Sequence, residues 1–329
     1  MTLLLQNSKK IVEDHIYIIY YSIMVDVNNL ILQLQSFFDK HKTEIIIGII
    51  SVISIIVICL GGKQVNTRDI DNKVTVCVKT LYRSKAIGKF VKDTRKLFPT
   101  ITIIISDDSD DEYKIINKQT IENVSPNDPN IIYIPLPYDS GLSKGRNECV
   151  KRVKTPYTII TDDTRTINDA GSVYKLVDYL DKNKQYDIIT GFVPERGGIH
   201  QAYTKLFKSV SINDKIIDSK SEVLKLIGDL NNKIQIKKEK INEINNDGYS
   251  ITDIGVNCFI SRTNILNKYP WNNILKLHEH SYFFLILWCN NIKILYDKDF
   301  KFHQMRGEYR IYDKNGQSLR QRRKFVDIF

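Results

Sequence analysis

Residues 101–108 read ITIIISDD, and residues 157–163 read YTIITDD. Each stretch is a short run of apolar, mostly β-branched residues that ends directly in two aspartates, a pattern typical of a buried strand. Strands that are apolar on both faces occur mainly in parallel sheets covered by helices on each side. These two stretches therefore predict an α/β fold.

The segments around these two strands alternate between strand and helix patterns. Further strands are predicted at Val74–Val78, Ile131–Ile134, Tyr186–Phe192 and Ile292–Tyr296, and helices at Ser84–Phe98, Ser143–Val153, Gly171–Lys182 and His278–Cys289. Alternation at this spacing predicts a mainly parallel mixed sheet with helices on both faces, spanning residues 73–310. Residues 210–246 read as an insertion, because they are polar and lysine-rich, with helical periodicity at Val223–Ile244.

The two aspartate pairs, Asp107-Asp108 and Asp162-Asp163, are the first candidates for a functional site. Open parallel sheets bind ligands where their strands end, so both pairs are expected at the same edge. Adjacent carboxylates repel each other unless hydrogen-bond donors or a cation such as Mg²⁺ or Mn²⁺ compensate them. Each pair alone is better explained as a cap of the following helix or turn. The presence of two pairs favours a nucleotide site.

A glycine-rich segment, GLSKGRN at residues 141–147, opens one of the predicted helices. The backbone N–H groups of a helix start, together with Arg146, could contact phosphate oxygens. On its own this segment is a weak signal, because a plain glycine-rich helix start is the more common explanation.

The sequence IIIGIISVISIIVICLGG occupies residues 45–62 and contains no charged residue. A helix of this length just crosses a hydrocarbon core of about 30 Å, and the run lacks the polar face of a buried core helix. We therefore expect a single transmembrane helix at 45–62, after an N-terminal segment at 1–44 and before a short stem at 63–72. The lysines on its two sides nearly balance, so flanking charge does not fix the orientation.

The chain of 329 residues carries a formal net charge of +10, and residues 311–329 form a basic C-terminal tail. Such a charge is compatible with binding to nucleic acid, membranes or anionic polymers, but the basic residues are dispersed and no nucleic-acid-binding motif accompanies them. No nucleic acid partner is expected. The five cysteines form no CxxC motif, so buried free thiols are predicted rather than a disulfide framework or a zinc site.

Several motifs follow one another in the order of a known family: VTVCVKTLYRS (74–84) with ITIIISDDSD (101–110), LPYDSGLSKGRNECVKRVKTPYTIITDDT (136–164), TDIGVNCFISRTNIL (252–266) and LKLHEHSYFFL (275–285). Together they resemble the β1,4-N-acetylgalactosaminyltransferase group of GT-A glycosyltransferases and its family-2-like relatives. The resemblance implies a GT-A fold, a UDP-sugar donor, a glycan or glycoconjugate acceptor and a Mn²⁺ or Mg²⁺ cofactor. On composition alone, and apart from this resemblance, residues 210–246 are either an insertion or a mobile acceptor-side element.

The resemblance also implies roles for individual residues. The nucleotide pocket would be lined by Lys79, Thr80, Arg83, Asp107, Asp108, Gly145, Arg146, Asn147 and Asp162. The metal would be held by Asp162, Asp163, Thr164 and His303. In relatives of this kind the catalytic domain follows a single-pass, type II anchor and lies in the lumen of the Golgi or endoplasmic reticulum.

In an inverting enzyme of this group a carboxylate deprotonates the acceptor hydroxyl while the metal neutralises the departing diphosphate. The family motif EHxDFF reads EHSYFF at residues 279–284, so Glu279 is the expected base and Asp253 the competing candidate. Tyr282 replaces the family's acid and Thr164 replaces the third acid of the metal triplet; a neutral phenol is a poor base and a hydroxyl a weak metal ligand. Three hypotheses follow: an active UDP-sugar transferase, a catalytically degenerate binding protein, and a basic membrane-tethered protein that binds polyanions.

Overall fold

The computed structural model describes residues 70–195, 198–199, 205–229, 231–240, 248–275 and 279–305. The helices are α1 (Ser84–Leu97), α2 (Asp111–Val124), α3 (Gly141–Val150), α4 (Ala170–Lys182), α5 (Lys220–Leu226), α6 (Thr263–Lys268) and α7 (Glu279–Cys289). The strands are β1 (Val74–Thr80), β2 (Thr102–Asp107), β3 (Ile131–Pro135), β4 (Tyr157–Asp162), β5 (Arg165–Ile167), β6 (Ile188–Phe192), β7 (Pro194–Glu195), β8 (Gly198–Ile199), β9 (Lys205–Ile212), β10 (Lys215–Ile217), β11 (Ile234–Lys240), β12 (Ser250–Thr252), β13 (Phe259–Arg262) and β14 (Ile294–Gln304).

A nine-stranded sheet forms the centre of the described domain. Its strand order is β12-β14-β6-β13-β4-β1-β2-β3, with β5 paired to β14. The pairs β4-β1, β1-β2, β2-β3 and β14-β6 are parallel, whereas β13 runs antiparallel to both of its neighbours. The predicted α/β fold with a mixed sheet is confirmed. Because β1, β2 and β4 are adjacent and parallel, their carboxyl ends meet at one edge of the sheet.

The two faces of the sheet carry separate hydrophobic clusters, which explains why the central strands are apolar at every position. Ile103 and Ile105 of β2 belong to one cluster, together with Phe90 of α1. Ile104, between them, belongs to the other, together with Phe284 of α7. Successive side chains of a strand point to opposite faces, so covering both faces requires a continuous apolar run.

Helix α2 has no counterpart among the predicted helices. Along it only Asn117 and Ile121 are buried, so its sequence lacks a wide apolar stripe. Its start carries an ordinary cap, since Asp110 accepts a hydrogen bond from the backbone N–H of Tyr113 at 3.0 Å. The four cysteines of the described residues are buried free thiols, as predicted.

The expected insertion is built differently from the periodicity at Val223–Ile244. Strands β9, β10 and β11 form a three-stranded antiparallel sheet, and α5 covers only Lys220–Leu226. The segment Ile234–Lys240 is a strand, so the helical interpretation of that part is wrong. Its isoleucines alternate with polar residues at period two, with Ile234 buried and its neighbour Gln235 exposed, as a sheet with one covered face requires.

The predicted transmembrane helix at 45–62, with residues 1–44 and most of the stem, lies outside the described residues, as does the basic tail. Within the part of the chain that is described, no helix has the length and apolar character needed to cross a membrane.

Candidate active site

The first aspartate pair terminates β2 and is completely buried. Asp107 accepts hydrogen bonds from the backbone N–H of Ser109 (2.9 Å), the amide of Asn117 (2.7 Å) and the hydroxyl of Tyr133 (2.6 Å). Burial and the adjacent negative charge of Asp107 raise the pKa of Tyr133, so its hydroxyl stays protonated as a donor. Asp107 therefore fastens β2 to α2 and β3 beneath the sheet edge.

Asp108 joins the ends of β1 and β2 to the start of α3. It forms a buried ion pair with Lys79 and accepts a hydrogen bond from the backbone N–H of Gly141 at 2.8 Å. Helix α3 crosses closely here, because a Cβ on Gly145 would lie 2.4 Å from Cγ of Lys79. Only glycine permits this approach without displacing the lysine. The glycines of GLSKGRN thus bring the helix, and Arg146 with it, against the strand ends.

The second aspartate pair, at the end of β4, separates into two environments. Asp163 faces the end of β1 and is nearly buried, where it accepts hydrogen bonds from the hydroxyl of Thr80 (2.9 Å) and from Arg83 (2.6 Å). Asp162 is 31% exposed and contacts Arg146 (3.4 Å) and Arg165 (2.9 Å) through its two carboxylate oxygens. Of the two carboxylates, Asp162 is therefore the one that is exposed to solvent.

Arg146 of α3 links the site together. It is 4% exposed and donates to Glu279 at 2.9 Å as well as to Asp162. With its amide oriented to satisfy its neighbours, Asn257 accepts from Arg146 at 3.1 Å and donates to Nδ1 of His280 at 2.9 Å. The guanidinium also lies 5.8 Å from the ring centre of Trp271. A single arginine thus connects the acidic motif at the end of β4, which consists of Asp162, Asp163 and Thr164, to the first turn of α7.

Asn147, predicted beside the nucleotide, instead fastens α3 to the segment before α7. Its amide nitrogen donates to the carbonyl of Trp271 (2.7 Å) and to Asn273 (2.8 Å), and its amide oxygen accepts from the N–H of Trp271 (3.0 Å). Ser143 adds a hydrogen bond to the carbonyl of Leu275 at 2.9 Å. Both the amide nitrogen and the amide oxygen of Asn147 are thus hydrogen-bonded to the segment before α7.

Helix α7 brings the predicted base Glu279 and its neighbour His280 to the site and shows where Tyr282, a departure from the family pattern, points. Glu279 is 6% exposed and held by Arg146, and burial together with the positive charge of Arg146 and Lys238 lowers the pKa of His280 to about 3. The imidazole is therefore neutral. Tyr282 points away from this network, since its hydroxyl donates to the carbonyl of Ile227 in the insertion at 3.1 Å. Tyr282 ties α7 to the insertion.

Asp253, the competing candidate for the base, lies where the chain returns from the insertion. Its carboxylate accepts a hydrogen bond from the backbone N–H of Phe207 at 2.7 Å. Burial raises the pKa of this carboxyl, opposed by that hydrogen bond. Asp253 is therefore a carboxyl with a raised pKa, whereas Glu279 is linked to Asp162 through Arg146.

The residues predicted to hold a metal do not come together as a metal site. Within the described ranges, no group of three or more His, Cys, Asp or Glu side chains is arranged to hold an ion. Thr164 contributes its carbonyl to the N–H of Met305 at 2.8 Å. In the pairing of β14 with β5, His303 lies opposite Thr166 and Gln304 lies opposite Arg165. Successive side chains of a strand alternate in direction, so His303 and Gln304 point to opposite faces of this strand pair. It is Gln304 that reaches Arg165, at 2.9 Å. The donor set does not fit a resident Mn²⁺ or Mg²⁺.

Several residues of this network were not identified from the sequence. Arg165 follows the acidic motif directly, and its position there was the available signal. Asn257 lies within the quoted TDIGVN segment but carries no charge. Asn117 and Tyr133, which hold Asp107, are distant in sequence and belong to no motif.

The chain is similar in sequence to a known family and to curated proteins. The model of glycosyl transferase family 2 matches residues 75–268. Mus musculus β-1,4 N-acetylgalactosaminyltransferase 1 is 32% identical over 133 residues, which cover 40% of this chain and 23% of that protein. Mus musculus β-1,4 N-acetylgalactosaminyltransferase 2 is 26% identical over 218 residues, covering 66% of this chain and 36% of that protein. The chain thus spans well under half the length of the curated relatives that it matches.

Among solved structures, S. aureus TarS 1-349 in complex with UDP-GlcNAc matches with a TM-score of 0.47 and 17% identity, covering 72% of this chain and 59% of that chain. The family match is the stronger finding. It extends from β1 through α6 and includes both aspartate pairs, the GLSKGRN segment and Asn257. Since it covers more than half of the chain, we conclude that this protein belongs to glycosyl transferase family 2.

Proposed function

We propose that the chain is a membrane-anchored, inverting glycosyltransferase that moves a hexose or N-acetylhexosamine from a UDP-sugar to a glycan acceptor. The observation that carries the proposal is the linked set of carboxylates and arginines at the carboxyl ends of β1, β2 and β4, within the region that matches family 2. This sheet edge is where α/β folds bind nucleotides. The named activity of the curated relatives supports the same reaction class.

In the proposed reaction a carboxylate removes the proton of the acceptor hydroxyl, and the oxygen forms a bond to C1 of the sugar. The bond between C1 and the diphosphate oxygen breaks, and UDP leaves with the electron pair. The anomeric centre inverts because attack and departure occur on opposite faces. Arg146, which contacts Asp162, would supply positive charge to the departing diphosphate.

Two carboxylates compete for the role of base. Glu279 contacts Arg146 and so belongs to the network of the acidic motif, and its side chain is held in place before any substrate arrives. The pKa of Asp253 is raised by burial, a direction suited to accepting a proton. We propose Glu279 as the base because of its position, with Asp253 as the alternative.

A degenerate protein that binds a nucleotide-sugar without turnover is the second candidate, favoured by Tyr282. Its hydroxyl is engaged by the insertion, and burial raises its pKa, so it does not replace the acid of the family motif. A screen for UDP release from UDP-GalNAc, UDP-GlcNAc, UDP-galactose and UDP-glucose, with Mn²⁺ and with EDTA, separates the two candidates. The transferase predicts release above background, which Asp162→Ala reduces and Asp178→Ala, on the exposed surface of α4, does not. Saturable UDP binding without release would establish the degenerate protein.

Anchoring through residues 45–62, in a single-pass type II orientation with the domain in the Golgi or endoplasmic reticulum lumen, is part of the proposal. It is supported by the uncharged run in the sequence. The full chain is expected to stay with membranes after carbonate extraction, and a chain lacking residues 1–62 to remain in the aqueous phase. Carbonate release of the full chain would contradict the anchor. Salt-sensitive binding to polyanions without UDP binding would instead support the polyanion-binding class.

A further inference from the structure

The carboxylates of the acidic motif of β4 are already paired with arginine side chains of the same chain. Asp163 is paired with Arg83, Asp162 with Arg146 and Arg165, and Glu279 with Arg146. Three carboxylates thus face three guanidinium groups. Carboxylates that bind a divalent metal are ordinarily the uncompensated negative charges of their site, whereas these are neutralised by the protein itself.

A metal ion at this motif would have to displace those partners. Each oxygen of Asp162 faces one arginine, and the oxygens of Asp163 accept from Arg83 and Thr80. The third position of the motif is Thr164, which offers a hydroxyl in place of a carboxylate. Hard divalent cations in proteins are held chiefly by carboxylates, so one partly exposed and doubly paired aspartate is a poor site.

The same arrangement is suited to a diphosphate. A guanidinium presents a planar fork of N–H donors that matches two oxygens of a phosphate, and it remains charged at all relevant pH values. Asp162 holds the forks of Arg146 and Arg165 near one another, at 3.4 Å and 2.9 Å from its two oxygens. Gln304 fixes the other side of Arg165 through Nε at 2.9 Å. The two arginines are therefore oriented before a ligand arrives.

The geometry points to a metal-independent donor site, in which Arg146 and Arg165 bind the diphosphate of the nucleotide-sugar and stabilise the charge of the leaving group. The inference rests on the proposed function, because it concerns the donor of that reaction. When the diphosphate binds, it accepts hydrogen bonds from the two guanidinium groups while Asp162 keeps its own contact with each of them. Arg165 becomes a residue that contacts the donor, and Asp162 a positioning residue that orients it. Fixed positive charge at the leaving group contributes to the rate without a metal.

The first test is UDP binding to the full chain by calorimetry, with Mn²⁺ and with EDTA. We expect the two dissociation constants to agree within about threefold, since the charge-assisted contacts come from arginine. Arg165→Gln is expected to weaken UDP binding by about tenfold or more, the effect of losing a charged hydrogen-bond donor. Arg165→Lys keeps the charge without the fork and should fall between. Arg95→Gln, in the pair with Asp128 away from the sheet edge, is the matched control.

The outcomes separate the inference from the function on which it rests. UDP binding that requires Mn²⁺, or binding unchanged in Arg165→Gln, would overturn the metal-independent site and leave the proposed transferase intact. A chain that binds UDP under neither condition would overturn both.

The second test measures Mn²⁺ alone by electron paramagnetic resonance. Wild type and Asp162→Asn are expected to bind Mn²⁺ alike, because Asp162 does not hold the ion. Thr164→Asp restores a carboxylate two positions from Asp162 and should increase Mn²⁺ binding above wild type. Loss of Mn²⁺ binding in Asp162→Asn, or saturable Mn²⁺ binding by wild type as tight as that of Thr164→Asp, would show that the motif is already a metal site.

Discussion

Removing the cation of the ion pair between Arg146 and Glu279 should destabilise the fold strongly. Arg146 is 4% exposed and Glu279 6%, so Arg146→Gln leaves a buried carboxylate without its cation. Such a change typically costs about 3–5 kcal/mol, a large part of a stability of about 5–15 kcal/mol. With a urea m-value of roughly 2 kcal/mol per molar, the unfolding midpoint should fall by about 1.5–2.5 M.

Urea unfolding of the full chain in detergent, followed by tryptophan fluorescence, measures this change. The chain contains two tryptophans, and the ring of Trp271 lies 5.8 Å from the guanidinium of Arg146. The double variant Arg146→Gln/Glu279→Gln replaces the pair by two neutral amides and should recover at least half of the lost stability. Asp162→Asn is the control, with an expected cost below about 1 kcal/mol because Asp162 is 31% exposed and screened by solvent.

The buried-pair interpretation would be refuted if Arg146→Gln cost less than about 1 kcal/mol, since a desolvated carboxylate cannot lose its partner so cheaply. It would also be refuted if the double variant were as unstable as the sum of the two single variants. The coupling energy between the two residues would then be close to zero.

Three further predictions follow from the residues around this pair. Glu279→Gln should preserve UDP binding while turnover falls by about 10²-fold, the scale of losing a positioned base; if only Asp253→Asn abolishes turnover in steady-state assays, Asp253 is the base. Tyr282→Phe should lower stability by about 0.5–1.5 kcal/mol through loss of the hydrogen bond to Ile227, with turnover unchanged; a collapse of turnover at normal stability would instead make Tyr282 catalytic. Because burial lowers the pKa of His280 from 6.5 to about 3, the unfolded chain binds a proton that the folded chain does not, and stability should fall as the pH drops below 6.5. The slope reaches up to about 1.4 kcal/mol per pH unit, and unfolding measured between pH 6.5 and 5 should be flatter in His280→Gln; an unchanged slope would show that other groups set it.

The alternation of strands and helices was predictable because covering both sheet faces leaves a strong signal. Ile103, Ile104 and Ile105 are all buried, so the strand is visible as an uninterrupted apolar run. The insertion was harder to interpret, since Ile234 and Ile236 are embedded in a lysine-rich stretch where a short alternation resembles part of a helical pattern. There the pairing of β11 with β9, and not the local sequence pattern, determines that the segment is a strand.

The charge balance of the site could not be predicted in the same way. The strand ends place Asp162 and Asp163 from local sequence, and Arg165 follows Asp162 by three residues, but the partners of Asp163 and Glu279 come from far along the chain. Arg83 is 80 residues from Asp163, and Arg146 is 133 residues from Glu279. Ion pairs of this kind depend on how the elements pack, and no periodicity in the sequence encodes them.

The chain segments that flank the insertion lie side by side. The carbonyl of Lys205, at the start of β9 and before the insertion, accepts hydrogen bonds from the backbone N–H groups of Asp253 (3.0 Å) and Ile254 (3.3 Å), which follow β12 after the insertion. A segment with adjacent ends can be shortened, lengthened or exchanged at little cost in loop-closure entropy. A graft from another member of the family would need to preserve two points of attachment on α7, Tyr282 and Trp288, which contact Ile227 and Phe207. The fold thus places a module with its own small sheet beside the central sheet, where it can be exchanged without rebuilding the core.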